Sequence, residues 1–158
     1  ATLDHRRSID VPGYDKIEMD DATRFIGTMN YGYAGTKELN EALVSRFLVI
    51  DMPGQNEETL EYVFKTKFPT IKEEALKQWI GLFLDLQLKA DNSEITTKAL
   101  DLRGMIGALR TISCGLKPSL AVKMGVVNKC FDIFEKEIVQ DVVMTRIPES
   151  WNPGDVFE

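Results

Sequence analysis

Three polar residues stand where they could bind a phosphate group. Asn30 ends a short apolar segment, Arg46 follows a short predicted helix, and Arg103 lies in the first turn of another predicted helix. A guanidinium group is always charged and matches two phosphate oxygens. A neutral amide can donate to a phosphoryl oxygen while it accepts from water. These residue types make the three positions candidates for an anion site.

Each position also has a structural explanation. An asparagine after a strand is usually a turn former, and an arginine at a helix C-terminus offsets the negative end of the helix dipole. Residue type alone favours these explanations for Asn30 and Arg46. Arg103 differs, because a cation in a first helical turn is unfavourable unless it meets an anion. For Arg103, an anionic partner and plain solvent both stay open.

Two apparent nucleotide motifs fail on residue order. Residues 32–37 contain the glycines, lysine and hydroxyl of a phosphate loop, but Thr36 precedes Lys37, and the required spacing is absent. Residues 47–51 form an apolar run that ends in Asp51, yet Met52 and Pro53 follow where an ATPase carries a catalytic glutamate. We therefore predict neither a phosphate loop nor metal ligands in this chain.

The composition of the chain argues against several classes of protein. The 158 residues carry a formal net charge of −6, which disfavours nucleic acid as a partner. No apolar run approaches the roughly 20 residues that span a bilayer, and the first eight residues are polar, so we expect a cytoplasmic protein. Two cysteines and one histidine exclude a disulfide framework and a Cys/His zinc site. We expect Cys114 and Cys130 to be buried.

Residues before Pro53 have the pattern of strands and turns. Alternating segments at 8–11 and 16–19, separated by Pro12-Gly13-Tyr14-Asp15, predict a β-hairpin. The apolar segments 25–29 and 47–50 predict two further strands, the second buried on both faces. Thr36 can cap a short helix that ends near Ser45.

Residues after Pro53 have helical periodicity. Helices are predicted to start at Asn56, at a capping box of Thr70 and Glu73, at Asp101 and at Pro118, and a last helix carries Ile133 to Val143. The final residues, 148–158, are predicted to be extended.

A family resemblance rests on the residues around the glycine-rich loop. They read Phe25-Ile26-Gly27-Thr28-Met29-Asn30-Tyr31-Gly32-Tyr33, then Gly35 to Leu43, then Ser45-Arg46-Phe47. Over Leu3 to Asp51 the chain resembles the second half of a MoxR-type AAA+ ATPase, in the branch that activates nitric oxide reductase and Rubisco. From Asn56 to Ile147 the resemblance is weaker but collinear, and residues 101–115 resemble the lid motif.

The resemblance implies a fold and three segments. Residues 1–52 would be the C-terminal part of an α/β AAA+ core, with a hairpin before the first sensor residue. Residues 53–147 would be an all-α lid, and 148–158 a tail. In such cores the strands that flank 25–29 and 47–50 come from earlier sequence. We therefore expect residues 24–50 to pair with a second copy or to repack on the lid.

The resemblance also assigns roles residue by residue. Asn30 falls on sensor 1, which orients the attacking water or touches the γ-phosphate. Arg46 falls on the arginine finger, which reaches the nucleotide of a neighbouring subunit. Arg103 falls on sensor 2, acting within its own subunit or across the subunit boundary. The hairpin 7–19 resembles an insertion that faces the ring pore and touches a client protein.

The implied activity belongs to a longer protein. The phosphate loop and the Mg²⁺ ligands would precede Ala1, so this chain alone is expected to bind neither ATP nor Mg²⁺ and to be inactive. The intact protein would be a chaperone-like hexamer that uses ATP hydrolysis to remodel or activate a client protein complex. Two alternatives stay open: a non-enzymatic helical interaction module, and another AAA+ branch such as the midasin or dynein-like proteins.

Overall fold

The computed structural model describes residues 7–29 and 40–158. The chain divides into two units, Ala1–Pro53 and Gly54–Glu158, and each is described by itself below. Asn30, the glycine-rich loop and Thr36 lie outside the described residues.

The first unit begins with the predicted hairpin. Strand β1, Ser8–Ile9, pairs antiparallel with β2, Ile17–Glu18, so that Ser8 faces Glu18 and Ile9 faces Ile17. Gly13, with φ +89°, occupies the left-handed region within the turn that joins the strands. The hairpin prediction is confirmed.

Arg7 fixes the chain that follows the hairpin. Its Nη2 atom donates to the carbonyl oxygens of Asp20, Asp21 and Thr23 at 2.9, 3.3 and 3.0 Å. The Met19 amide donates to the Arg7 carbonyl at 2.9 Å, one step beyond the strand pairing. One side chain therefore holds the turn after β2 against the base of the hairpin.

The predicted α/β fold was wrong. In the part of the chain that the structure describes, the sheet consists of β1 and β2 alone, and residues 25–29 and 47–50 form no strand. Ile26 is 93% and Leu48 is 96% exposed. A strand needs a neighbouring strand to take its hydrogen bonds, and neither segment pairs with another strand among the described residues. Of the residues between them, the structure describes 40–46, which contain a short helix, α1, Glu41–Val44, capped by Asn40.

The second unit is helical. Two short 3₁₀ turns, Thr97–Ala99 and Val127–Lys129, lie between its helices. The helices are α2 Glu57–Lys67, α3 Glu73–Asp91, α4 Leu102–Ser113, α5 Pro118–Gly125, α6 Ile133–Arg146 and α7 Pro153–Val156.

Side-chain caps explain where three of these six helices, α2, α4 and α6, start. The carboxamide of Asn56 accepts from the Thr59 amide at 2.9 Å, and Asp132 accepts from the Glu135 amide at 2.9 Å. Each bond satisfies one of the amides that a helix start leaves without a partner. The start predicted at Asn56 is confirmed, and so is the start at Asp101, described below.

The predicted capping box at Thr70 was wrong, because that backbone pairs with the end of the chain. The Lys72 amide donates to the Val156 carbonyl at 2.9 Å, and the Glu158 amide donates to the Thr70 carbonyl at 3.0 Å. The last residues are also not simply extended, since they include α7 and bury Val156 completely. The Phe157 ring lies 5.9 Å from that of Phe68. The final segment is thus part of the core.

Helix α3 is the centre of this core. It packs against α2, α6 and α7. Seven of its side chains are buried: Ala75, Leu76, Trp79, Ile80, Leu82, Phe83 and Leu86. Helix α6 is also tied to α3 by a bidentate ion pair, in which Nε and Nη2 of Arg146 lie 2.6 and 3.0 Å from the carboxylate oxygens of Asp85. None of the described helices is long and apolar enough to cross a membrane.

Helices α4 and α5 approach each other at two glycines. A Cβ atom at Gly125 would lie 2.6 Å from the carbonyl oxygen of Gly104 and 3.1 Å from the Cβ of Ala108. A Cβ atom at Gly104 would in turn overlap the carbonyl oxygen of Gly125. The contact is backbone against backbone, so a side chain at either position forces the two helices apart.

We predict that Gly125→Ala destabilises the protein by about 1–3 kcal/mol, as overpacking of a filled contact does. Gly107→Ala is the matched control, because Gly107 lies inside α4 and has no atom within 4 Å of an added Cβ. It should stabilise the protein by about 0.5–1 kcal/mol through helix propensity. Urea unfolding measures both, and equal effects of the two variants would contradict the close approach.

Candidate functional site

Arg103 is the second residue of α4 and is exposed. The residues after it, Gly104 and Met105, are buried against the rest of the unit. Arg103 makes no ion pair with any described residue. The core therefore fixes the backbone of Arg103 while its guanidinium stays in solvent at the positive end of a helix.

Asp101 and Lys129 hold the start of α4. The Asp101 carboxylate accepts from the Gly104 amide at 2.9 Å and forms an ion pair with the Lys129 ammonium. Partial burial alone would raise the Asp101 pKa, but the hydrogen bonds from Lys129 and from the Gly104 amide outweigh it. The net pKa is lowered, so the carboxylate stays ionised at neutral pH.

The balance of charge at this helix start is positive. Arg103 and Lys129 contribute two cations, Asp101 contributes one anion, and the free amides of a helix N-terminus add partial positive charge. The resident carboxylate is already engaged as the helix cap and with Lys129. An external anion could therefore interact with Arg103 without breaking a pair that Arg103 already makes among the described residues.

Arg46 follows α1 in the first unit and is exposed. Its guanidinium donates to the carbonyl oxygen of Ala42, at the end of that helix. The Ser45 hydroxyl donates to the same carbonyl at 3.1 Å. This is the geometry of an arginine that offsets the negative end of its own helix. The sequence is compatible both with this structural role and with the role of an arginine finger.

The structure does not bring the three predicted site residues into one described arrangement. Arg46 belongs to the first unit, Arg103 to the second, and Asn30 lies outside the described residues. Among residues 7–29 and 40–158 there is no group of three His, Cys, Asp or Glu side chains placed to hold a metal ion. The cysteine prediction was half right, because Cys130 is buried and Cys114 is exposed.

Two features escaped prediction from the sequence. One is the pairing of Lys129 with Asp101, which spans 28 positions and so has no local signal. The other is an exposed apolar cluster beside the start of α6, formed by Phe131, Ile133 and Phe134.

The variants Asp101→Asn and Asp101→Ala separate the stability that the helix cap contributes from the stability that the ion pair with Lys129 contributes. Asparagine keeps the cap, so Asp101→Ala should be less stable than Asp101→Asn by about 1 kcal/mol. Only the ionised carboxylate attracts Lys129. Because the folded pKa lies below the reference value of 3.8, this attraction is present above that value and is lost as pH falls through the folded pKa.

Chemical unfolding at about pH 6 and about pH 2.5 measures how much stability the attraction between Asp101 and Lys129 contributes at each pH. The stability gap between the wild type and Asp101→Asn should shrink at the lower pH. A gap that is the same at both values would contradict the proposed ion pair.

Comparison with known proteins gives relatives without an assigned activity. Uncharacterized protein YojN of Bacillus subtilis is 31% identical over 146 residues, which are 92% of this chain and 48% of that protein. Uncharacterized proteins of Staphylococcus epidermidis and Staphylococcus aureus are 26% and 27% identical over 144 residues, 90% of this chain and 54% of each. No protein-family model and no solved structure matches the chain. The chain spans about half the length of the curated relatives it matches.

Proposed function

We propose that this chain is part of a cytoplasmic MoxR-type AAA+ ATPase that uses ATP binding and hydrolysis to remodel or activate a client protein complex. One observation carries the proposal: Arg103, at the place of sensor 2, is exposed on a rigid helix start and has no anionic partner among the described residues. A cation at the positive end of a helix is stable when it meets an anion. The γ-phosphate of ATP is such an anion.

The packing around α4 gives this residue a way to report the state of the nucleotide. An attractive force on the Arg103 side chain would act on the first turn of α4, where Gly104 is in backbone contact with Gly125 of α5. Because the two backbones are in direct contact at these glycines, a displacement of the start of α4 would be passed on to α5. Attraction of Arg103 to a phosphate would thus move the helical unit as a body.

Arg46 would act on the transferred phosphoryl group of a neighbouring subunit in a hexameric ring. Its guanidinium is exposed, and its bond to the Ala42 carbonyl is the kind of contact that phosphate oxygens can replace. Such a finger stabilises the charge that develops during phosphoryl transfer. Asn30 would orient the attacking water as sensor 1.

The described residues do not fit the magnesium ion of such a reaction, since no three of their His, Cys, Asp or Glu side chains are grouped so as to hold a metal ion. The proposal places the phosphate loop and the metal ligands in sequence outside this chain, and the isolated chain would be inactive.

The first test compares the isolated chain with a longer protein that also contains the sequence encoded upstream of it. We predict a Gly-x4-Gly-Lys-Ser/Thr sequence upstream, because the backbone amides of that loop bind the β-phosphate. Calorimetry should detect ATP binding only when this sequence is present. Micromolar binding of ATP to the isolated chain would contradict the proposal.

The second test uses arginine variants of the longer protein. Arg46→Ala should lower the ATP turnover number by roughly a thousandfold or more and leave nucleotide affinity nearly unchanged. Arg103→Ala should weaken the coupling between nucleotide state and movement of the helical unit. Arg110→Ala is the control, because Arg110 is exposed at the other end of α4 and should change neither property. Full activity of Arg46→Ala would overturn the arginine-finger role.

A second candidate function is a non-enzymatic interaction module. The observation that favours it is the exposed apolar cluster of Phe131, Ile133 and Phe134. Loss of client binding, with ATP turnover intact, in a Phe131→Ser/Phe134→Ser variant would show that the two functions coexist. Absence of any phosphate-loop sequence upstream would leave the interaction module as the better account.

A further inference from the structure

We propose that one face of α4 is a docking surface for an acidic helix of another protein, whose carboxylates pair with Arg103 and Arg110. Gly107 lies between the two arginines and lets the partner helix come close. The inference goes beyond the proposed ATPase, because it requires no nucleotide and gives a role to Arg110, which the ATPase does not use.

The segment that contains α4 is basic within an acidic chain. Residues 95–131 contain six Lys or Arg and one Asp, a net charge of +5, so the rest of the chain carries −11. All six cationic side chains are exposed, and Lys129 is paired with Asp101. The other five make no ion pair with a described residue: Lys98, Arg103, Arg110, Lys117 and Lys123.

Two of these cations share one face of α4. Arg103, Gly107 and Arg110 are at positions i, i+4 and i+7, which a helix places on the same side, and all three are exposed. The two arginines are about 10.5 Å apart along the helix axis. Gly104 and Ala108, on another side of α4, contact α5. The helix is thus held from its buried sides, and the face with the arginines is open to a partner.

The helix packing does not account for Gly107. Glycine destabilises a helix interior relative to alanine. Gly104 and Gly125 are required by the close approach of α4 and α5, but a Cβ atom at Gly107 would meet no atom within 4 Å. Its φ also lies outside the left-handed region. The missing side chain therefore clears the surface between Arg103 and Arg110, where an external chain can approach the backbone of α4.

The two arginines define the chemistry of the partner. A guanidinium group binds a carboxylate through two parallel hydrogen bonds. Carboxylates at positions i and i+7 of a second helix have the same spacing of about 10.5 Å, so both pairs can form at once. Helices pack with their axes about 8–10 Å apart, and the small residue between the arginines favours that approach. Arg103 binds one anion at a time, so in the proposed ATPase a bound nucleotide would compete with the partner.

The charge of the whole chain favours a short acidic helix over a nucleic acid. A nucleic acid is a long polyanion, and the charge of −11 outside residues 95–131 would repel it. A single acidic helix contacts the basic face alone. Charge complementarity over this limited surface is therefore strongest for a protein partner.

The test is an NMR titration of the isotope-labelled full chain with an alanine-rich helical peptide that carries glutamates at positions i and i+7. Amide signals of residues 102–114 should shift, with a dissociation constant of about 1 mM, because exposed ion pairs are weak. A matched peptide with glutamine at both positions should bind at least fivefold more weakly.

Two variants test the two parts of the surface. Arg110→Glu should weaken binding of the glutamate peptide at least fivefold, and a lysine version of the peptide should bind this variant more tightly than it binds the wild type. Gly107→Leu should weaken binding by a similar factor but raise the urea midpoint of unfolding, because leucine favours a helix and its Cβ meets no atom. Helical circular dichroism checks that each variant is folded.

Lys77→Glu is the matched control. Lys77 is an exposed cation of α3 that makes no ion pair with a described residue. This variant should bind the glutamate peptide like the wild type.

Four results would overturn the proposal. They are the absence of shifts in residues 102–114 at about 10 mM peptide, equal binding by the wild type and Arg110→Glu, and tighter binding of this face to a DNA duplex than to the peptide. The fourth is self-association of the chain that Arg110→Glu abolishes, because the acidic helix would then be its own. None of these results bears on the proposed ATPase, which gives Arg110 no role and expects no ATP binding by this chain alone.

Discussion

The contact between Gly104 and Gly125 is the constraint on which the proposed site depends. It brings the backbones of α4 and α5 closer than any side chain permits, and so sets the direction in which α4 starts. Asp101 closes that start as its cap, and Lys129 holds Asp101. With three turns of helix fixed behind it, Arg103 is exposed at a defined place rather than on a mobile loop.

Local chemistry made the helical unit largely predictable. Asn56 and Asp101 each accept the hydrogen bond that their residue type favours, and the helices after them follow the apolar periodicity. The start at Thr70 was not predictable in this way, because the competing partner is the far end of the chain at Val156 and Glu158. A backbone pairing between residues far apart in the sequence cannot be predicted from the types of the neighbouring residues.

The absence of strands at residues 25–29 and 47–50 was not predictable for a related reason. Residues 25–29 and 47–50 have apolar patterns typical of buried strands, but a pattern describes the faces of a strand and not its hydrogen-bonding neighbours. For the candidate site, the sequence correctly indicated that Arg103 lies in a first helical turn. It could not decide whether the Arg46 guanidinium returns to its own helix, which depends on the side-chain conformation.

The two units thus differ in how their apolar residues are used. The second unit buries a continuous core around α3 and leaves the apolar cluster of Phe131, Ile133 and Phe134 exposed. The first unit has one ordered hairpin, and its apolar segments 25–29 and 47–50 are largely exposed. Relatives in three bacterial species align over most of this chain, across both units. Among the described residues, the whole buried apolar core thus belongs to the helical unit.

Amide hydrogen exchange of the chain at low concentration tests this account most directly. Slow exchange is expected across α3 and α4, including Met105, since these amides open only with the core. Exchange in residues 25–29 and 48–52 should be close to that of an unstructured peptide, because their amides have no described backbone partner. Protection of residues 48–52 comparable to that of α3, or rapid exchange at the start of α4, would contradict the account.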